Sequence, residues 1–407
     1  MTRVDTAQHN NGVKAKSIEV LPDNVTSILS CVKPLLFLEN LFGIFRFRNN
    51  SGKLHLSGVN VKILGIVIFI VYIAIFYTFT DVLRFGRKKL LDNVPTFILH
   101  VEYIVTIVLT SFVLVKTNIE IYLGFSEIDK SLYINADTTF YKRSRRHTYL
   151  LLGSILLVHF SYNLLPYMFN LFSIETLIIW PVYFLQDLEI LFFCKLICML
   201  KTRLHIINKH LNNAACICNG NRNIYTITGE ALTDFLILKK IRIVNLASVY
   251  HKIAHLCSLV NELFNFLIFM SLISVFFYTL ITICMTLYYV QIELDVKTTA
   301  WLSIKIVWNI IEMGHIVSII VVCEMLVTTR KKTKVLITEI IINYNLQETM
   351  RMEAKSFLKL VEAWPLKISV YDMFYVDTSL LLKFINVCTV YLIFMLQIPM
   401  FINFSMQ

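Results

Sequence analysis

The sequence predicts an all-α membrane protein with seven transmembrane helices, the amino terminus cytoplasmic and the carboxyl terminus extracellular. Three observations predict it. Of 407 residues, 57% are hydrophobic and only 16% are charged, against about 25% charged in soluble chains. Gly (11) and Pro (7) are scarce, which favours long helices over turn-rich β structure. The 38 Lys and Arg, which bring the net charge to +11, are sorted by side. This composition excludes disorder, collagen and a disulfide scaffold. It also leaves too little charge to cover a soluble fold of two or three domains.

A spanning helix needs about 20 mostly apolar residues. Seven stretches qualify: 61–83, 94–115, 149–172, 176–200, 260–290, 301–327 and 377–401. Only residues 173–175 separate the third from the fourth, which predicts a tight helical hairpin. The fifth exceeds the bilayer, so it is expected to run on into the cytoplasm or to tilt. The first thirty residues are polar and the first long apolar run begins at Val61, so no signal peptide is read. Residues 32–47 read as an amphipathic helix lying at the cytoplasmic interface before the first span.

The amino-terminal segment and the three long loops carry 29 of the Lys and Arg, and the opposite side carries five: Arg84, Arg87, Lys88, Lys89 and Lys297. Four more, Lys62, Lys195, Lys305 and Lys383, fall within spans. Positive charge collects on the cytoplasmic side, so the amino terminus is inside. A G-protein-coupled receptor has the opposite orientation. The nine cysteines fall in spans or on the cytoplasmic side, leaving no extracellular pair for a disulfide.

In the last span, Ser379, Lys383, Asn386, Val390, Ile393 and Gln397 recur at helical spacing on one face. Lipid cannot satisfy a polar stripe, so it must face protein or water. Two readings stand: hydrogen bonding between helices of a bundle, or a pore lined by symmetric copies of the helix.

The span ends on Thr389-Val390-Tyr391, five apolar residues, Gln397 and Ile398. This resembles the carboxyl-terminal signature of insect gustatory receptors: Thr-Tyr, five hydrophobic residues, Gln-Phe. Thr389 is displaced by one position and Ile398 stands for the Phe. The run "MFYVDTSLLLKF" before that helix and the fifth-span entry "HLCSLVNELFNFLIFMSLISVFF" also resemble the family. The resemblance implies a tetrameric ligand-gated cation channel, homomeric or mixed with other gustatory receptors, in the plasma membrane of gustatory neurons. It implies that the last helix lines the pore, with Gln397 in the lining and Ile398 or Ile393 near the gate, and Val390 and Asn386 on the same face. Sugar-responsive members typically carry Glu after the signature Tyr; Leu392 stands there, which points to the divergent bitter-type group that senses plant compounds. On this reading residues 1–60 are a cytoplasmic segment with the interfacial helix, 61–327 a six-helix ligand-sensing bundle, 328–376 a cytoplasmic anchor helix region, and 377–407 the pore helix with a short outer tail.

Polar and aromatic residues in the outer halves of the spans are the candidate ligand site. They are Glu102 and Tyr103 in the second span, Asn163 and Tyr167 in the third, Trp180, Tyr183 and Asp187 in the fourth, Tyr278 in the fifth, and Lys305, Trp308 and Glu312 in the sixth. Aromatic walls with a few polar groups suit an alkaloid, glycoside or terpenoid. Against that, Tyr and Trp near span ends also serve as interface anchors, and Lys305 is placed to pair with Glu312 or Asp187.

Other readings are weaker. His251 and His255 lack the further His boxes of a membrane desaturase. No P-loop, GxSxG or HExxH is present, so neither an enzyme nor a cofactor is expected. The basic clusters at residues 142–146 and 330–334 suit anionic lipid rather than nucleic acid. A secondary transporter is the alternative function, although seven spans do not divide into two inverted halves. A sugar-sensing gustatory receptor is the other.

Overall fold

In the computed structural model, residues 23–50, 53–55, 58–79, 87–134, 138–168, 174–218, 242–290 and 296–405 are described. They form ten α-helices: α1 (Asp23–Leu41), α2 (Val59–Phe79), α3 (Arg87–Val108), α4 (Val115–Ser131), α5 (Thr138–Met168), α6 (Ile174–Cys218), α7 (Ile243–Val290), α8 (Val296–Ile342), α9 (Glu348–Ala363) and α10 (Thr378–Ser405). Two short antiparallel hairpins, Arg48–Asn50 with Lys53–His55 and Ser369–Val370 with Phe374–Tyr375, complete the described part.

Each predicted span falls on a helix: α2, α3, α5, α6, α7, α8 and α10 in order. Among the described residues, five are long and apolar enough to cross a membrane by length and composition, and α10 holds a shorter apolar run, Thr378–Phe394. The hairpin connection at residues 173–175 begins at 173, outside the described residues. The three longest helices, α6, α7 and α8, have 45, 48 and 47 residues. At 1.5 Å per residue each is about 70 Å long, more than twice the hydrocarbon thickness. They therefore continue as one packed stem beyond the membrane, and α9 packs on α7 and α8. The boundary drawn at 327/328 falls inside the continuous helix α8.

Two segments differ from expectation. The stretch read as a loop after the second span is helical. A five-residue π turn, Leu109–Val113, ends α3, and α4 then buries Ile119, Tyr122, Phe125 and Ile128. The amino-terminal helix α1 runs from Asp23 to Leu41, against the 32–47 read from the sequence. Its stripe of Val25, Ile28, Val32 and Leu35 is fully buried, packed on α4 and α5. Phe37 and Leu41 of the same helix are exposed. After α1 the chain turns at Gly43, whose φ is +79°, and lies directly against Gly65 of α2. A Cβ on Gly65 would sit 2.3 Å from the Gly43 carbonyl oxygen, so only glycine fits this crossing.

The approach to the last helix is braced. Asn265 Oδ1 accepts the Tyr371 N–H at 2.7 Å and Asn261 Oδ1 the Ser369 N–H at 3.2 Å, which docks the hairpin on α7. Asp377 Oδ1 then caps α10 by accepting the Ser379 and Leu380 N–H groups at 3.0 and 3.2 Å. Leu380, Phe384 and Cys388 are buried, and the rings of Phe384 and Tyr391 meet Phe276 of α7.

Candidate functional site

Ionisable groups are expensive inside a membrane bundle and persist where they pair or act. Helices α5, α6 and α8 bring several of them together. His159 Nε2 hydrogen-bonds Asp187 Oδ2 at 2.7 Å. His315 Nε2 lies 3.1 Å from Asp187 Oδ1, and its Nδ1 lies 3.5 Å from Glu312 Oε2. His159, Asp187 and Glu312 are buried, at 0%, 3% and 2% exposure.

An aromatic shell surrounds this cluster. The Trp308 ring is its hub, with centroid distances of 4.2 Å to Tyr162, 5.2 Å to Tyr183 and 5.6 Å to His159. Trp180 stacks on Phe184, and both reach His159 edge-on. Glu102, on α3, accepts a hydrogen bond from Gln186 at 3.2 Å, within electrostatic reach of Glu312, Glu189 and Asp187. Among the described residues, Glu102 Oε1 and Glu312 Oε1 have no hydrogen-bond partner. The site thus combines aromatic faces with buried, incompletely satisfied carboxylates. Such a surface can take up hydrogen-bond donors or cationic groups against π faces.

The structure therefore groups Trp180, Tyr183, Asp187, Trp308 and Glu312, with Glu102 alongside. It does not bring in the rest. The Tyr103 hydroxyl donates to the Phe42 carbonyl at 2.6 Å, fixing the chain after α1. Asn163 donates to the His159 carbonyl one turn back. Lys305 faces the Trp301 and Tyr278 rings, at 5.5 and 5.8 Å, while Glu312 and Asp187 engage His315. Tyr167 lies in α5 and Ile398 in α10, with side chains outside the described residues.

Sequence reasoning passed over His159 and His315. Two signals marked them: an imidazole inside an apolar span, and the Glu312–His315 spacing of three on the face that already held Trp308. It also missed Arg46. This guanidinium is 1% exposed and bridges Glu39, at 2.7 Å, and Glu189, at 2.5 Å, over the Phe192 ring. No group of three or more His, Cys, Asp or Glu among the described residues is placed to hold a metal ion.

On α10 the pore candidates Asn386, Val390, Ile393 and Gln397 are all exposed, opposite the face that packs on α7.

The fold is similar to that of the insect olfactory receptor OR5 from Machilis hrabei in complex with eugenol. The TM-score is 0.63 at 12% identity, over 92% of this chain and 100% of that one. A second structure of that receptor gives a TM-score of 0.57 at the same identity and coverage. A comparison with curated proteins finds no match. The sequence itself matches the 7tm Chemosensory receptor family over residues 32–402, a range that takes in all seven spans and both charged clusters, and the chain belongs to that family.

Proposed function

We propose that the chain is a gustatory receptor: a ligand-gated, non-selective cation channel of the plasma membrane that responds to a small plant-derived, bitter-type compound. The observation that carries this reading is the uncovered polar stripe of α10. Ser379, Lys383, Asn386 and Gln397 are exposed on a helix that should lie in lipid, and lipid cannot accommodate them. Symmetric copies around an axis would turn that face toward a water-filled path, which favours a tetramer, of identical or mixed subunits, over a monomeric transporter. Gln397, Asn386 and Val390 are then pore-lining, with Ile393 and Ile398 toward the gate.

The sorting of positive charge supports a cytoplasmic amino terminus and an outer carboxyl terminus. The far ends of α7 and α8, with α9 and the hairpin before α10, then form a cytoplasmic anchor. The ligand site is the aromatic and carboxylate cluster around Trp308, Asp187 and Glu312, with Trp180, Tyr183 and Glu102. Tyr103, Asn163, Tyr167, Tyr278 and Lys305 are further candidates on the sequence reading alone. Leu392, in place of an acidic residue, supports a bitter-type ligand over a sugar. The eugenol bound by the Machilis hrabei receptor is a small organic molecule, as this reading requires.

Whole-cell recording from cells expressing the chain, alone and with companion receptors, tests the proposal against a panel of plant compounds. Ligand-evoked cation current is the expected result. Substrate-coupled flux without unitary currents would overturn it in favour of a transporter, and an amino-terminal tag reachable from outside intact cells would overturn the orientation.

A further inference from the structure

The buried cluster leaves little room. Beside Glu102 the cavity measures about 10 Å³, and beside Lys305 about 20 Å³. A roomier space, about 230 Å³, lies between α2 and α3, lined by Phe69, Phe76 and Tyr77 from one helix and Thr96, Phe97 and His100 from the other. Phe97 and Tyr77 are 63% and 43% exposed, so the cleft opens on the outer face of the bundle. Helix α2 is the least buried of the five long spans: 11% of its apolar window is buried, against 39–61% in the other four.

The chemistry of the lining selects its occupant. Among the described residues no Asp, Glu, Lys or Arg lines the cleft, a lining that would desolvate a charged molecule without compensation. A cavity of about 150 Å³ holds benzene; this one is larger by about half, room for a substituted ring. His100 supplies a polar edge. Its Nδ1 lies 2.6 Å from the Thr96 carbonyl, which can only accept, so Nδ1 carries the proton. Nε2 of the neutral ring then accepts from the Tyr72 hydroxyl at 3.2 Å. Both ring nitrogens are thus committed, and the lining contributes the hydroxyls of Tyr77 and Thr96, groups that can both donate and accept. An acyl chain can use neither; a phenol or alcohol can.

We propose that the cleft between α2 and α3 is a second binding site, entered from the lipid, for a neutral, hydroxyl-bearing apolar molecule of single-ring size. Thr96, which lines it, lies within electrostatic reach of Tyr183, and Tyr183 meets Trp308. An occupant therefore presses on the wall of the buried cluster without entering it.

Photolabelling of the full-length receptor in phosphatidylcholine–phosphatidylglycerol nanodiscs, with a trifluoromethyl-diazirinyl phenol as probe and peptide mapping as readout, tests the site without any current being measured. Failure of the channel reading would thus leave this result intact. Label is expected on the cleft faces of α2 and α3, displaced at least about tenfold more readily by thymol than by its methyl ether, because a site that hydrogen-bonds a hydroxyl rejects the analogue lacking that proton. Ile73→Trp, which fills the cleft, should abolish that label, and Ile70→Trp, at a position 58% exposed, should not. Should Ile73→Trp not purify as a single species, Ile104→Phe fills the same cleft. Cleft label that survives filling, resists thymol as an acyl chain there would, or appears only around Trp308 overturns the proposal.

Discussion

His159 Nε2 and Asp187 Oδ2 stand 2.7 Å apart inside the bundle, one on α5 and one on α6. His315 of α8 approaches the other oxygen of the same carboxylate at 3.1 Å, so a single side chain ties three helices. Removing one member of a buried pair leaves the other uncompensated, at a cost of about 3–5 kcal/mol. Asp187→Ala should therefore lower the thermal midpoint of detergent-purified receptor by several degrees, and Asp187→Asn, which can still accept one hydrogen bond, by less. Combined with His159→Ala the losses should be less than additive. Strictly additive losses would mean that the two side chains do not interact.

Trp308 touches Tyr162, Tyr183 and His159 at once. Its truncation opens a large void beside unsatisfied Glu312. Trp308→Ala should cost about 3–5 kcal/mol, Trp308→Phe clearly less. If the cluster is the ligand site, Trp308→Phe at normal surface level should shift the half-maximal ligand concentration by about tenfold or more, as for lost contacts in an apolar pocket. An unaltered dose–response curve would remove Trp308 from the site.

Arg46 is held between Glu39 and Glu189 and stacked over Phe192. Arg46→Ala strands two buried carboxylates, and Arg46→Lys loses the planar fork that serves both. Both should reduce surface expression, Ala more than Lys. Adding Glu39→Gln and Glu189→Gln to Arg46→Met should recover much of the loss, because an apolar replacement of a whole buried ionic group is tolerated far better than half of it. Absence of any recovery would show that the guanidinium does more than neutralise these two acids.

The seven spans were legible because a run of about 20 apolar residues carries its own signal. Helix α4 was not, because its buried Asp129 is satisfied by Arg203, at 2.6 Å, and by Tyr141, at 2.7 Å, partners that no local pattern announces. The site divides in the same way. Helical spacing placed Trp308 and Glu312 on one face, which the fold uses. It could not say that Asp187 of α6 would meet His159 of α5 and His315 of α8, or that Lys305 would turn to Tyr278 of α7. A helical wheel gives the face; the neighbour across it depends on how the helices are stacked.

The two faces of α10 should respond differently to mutation. Leu380, Phe384 and Cys388 are buried on α7, whereas Asn386 and Gln397 are exposed. Phe384→Ala removes a packed ring, and a core truncation of that kind costs about 3–5 kcal/mol, so surface expression should fall. Gln397→Ala removes no intrachain packing and should leave expression intact. If the exposed face lines the conduction path, that substitution alters unitary conductance, ion selectivity or gating, because groups lining a narrow pore replace part of the ion's hydration. Single-channel recording beside surface biotinylation separates the outcomes. Normal expression with wild-type conductance, selectivity and gating in both Gln397→Ala and Asn386→Ala would mean that the stripe serves as helix-to-helix glue instead.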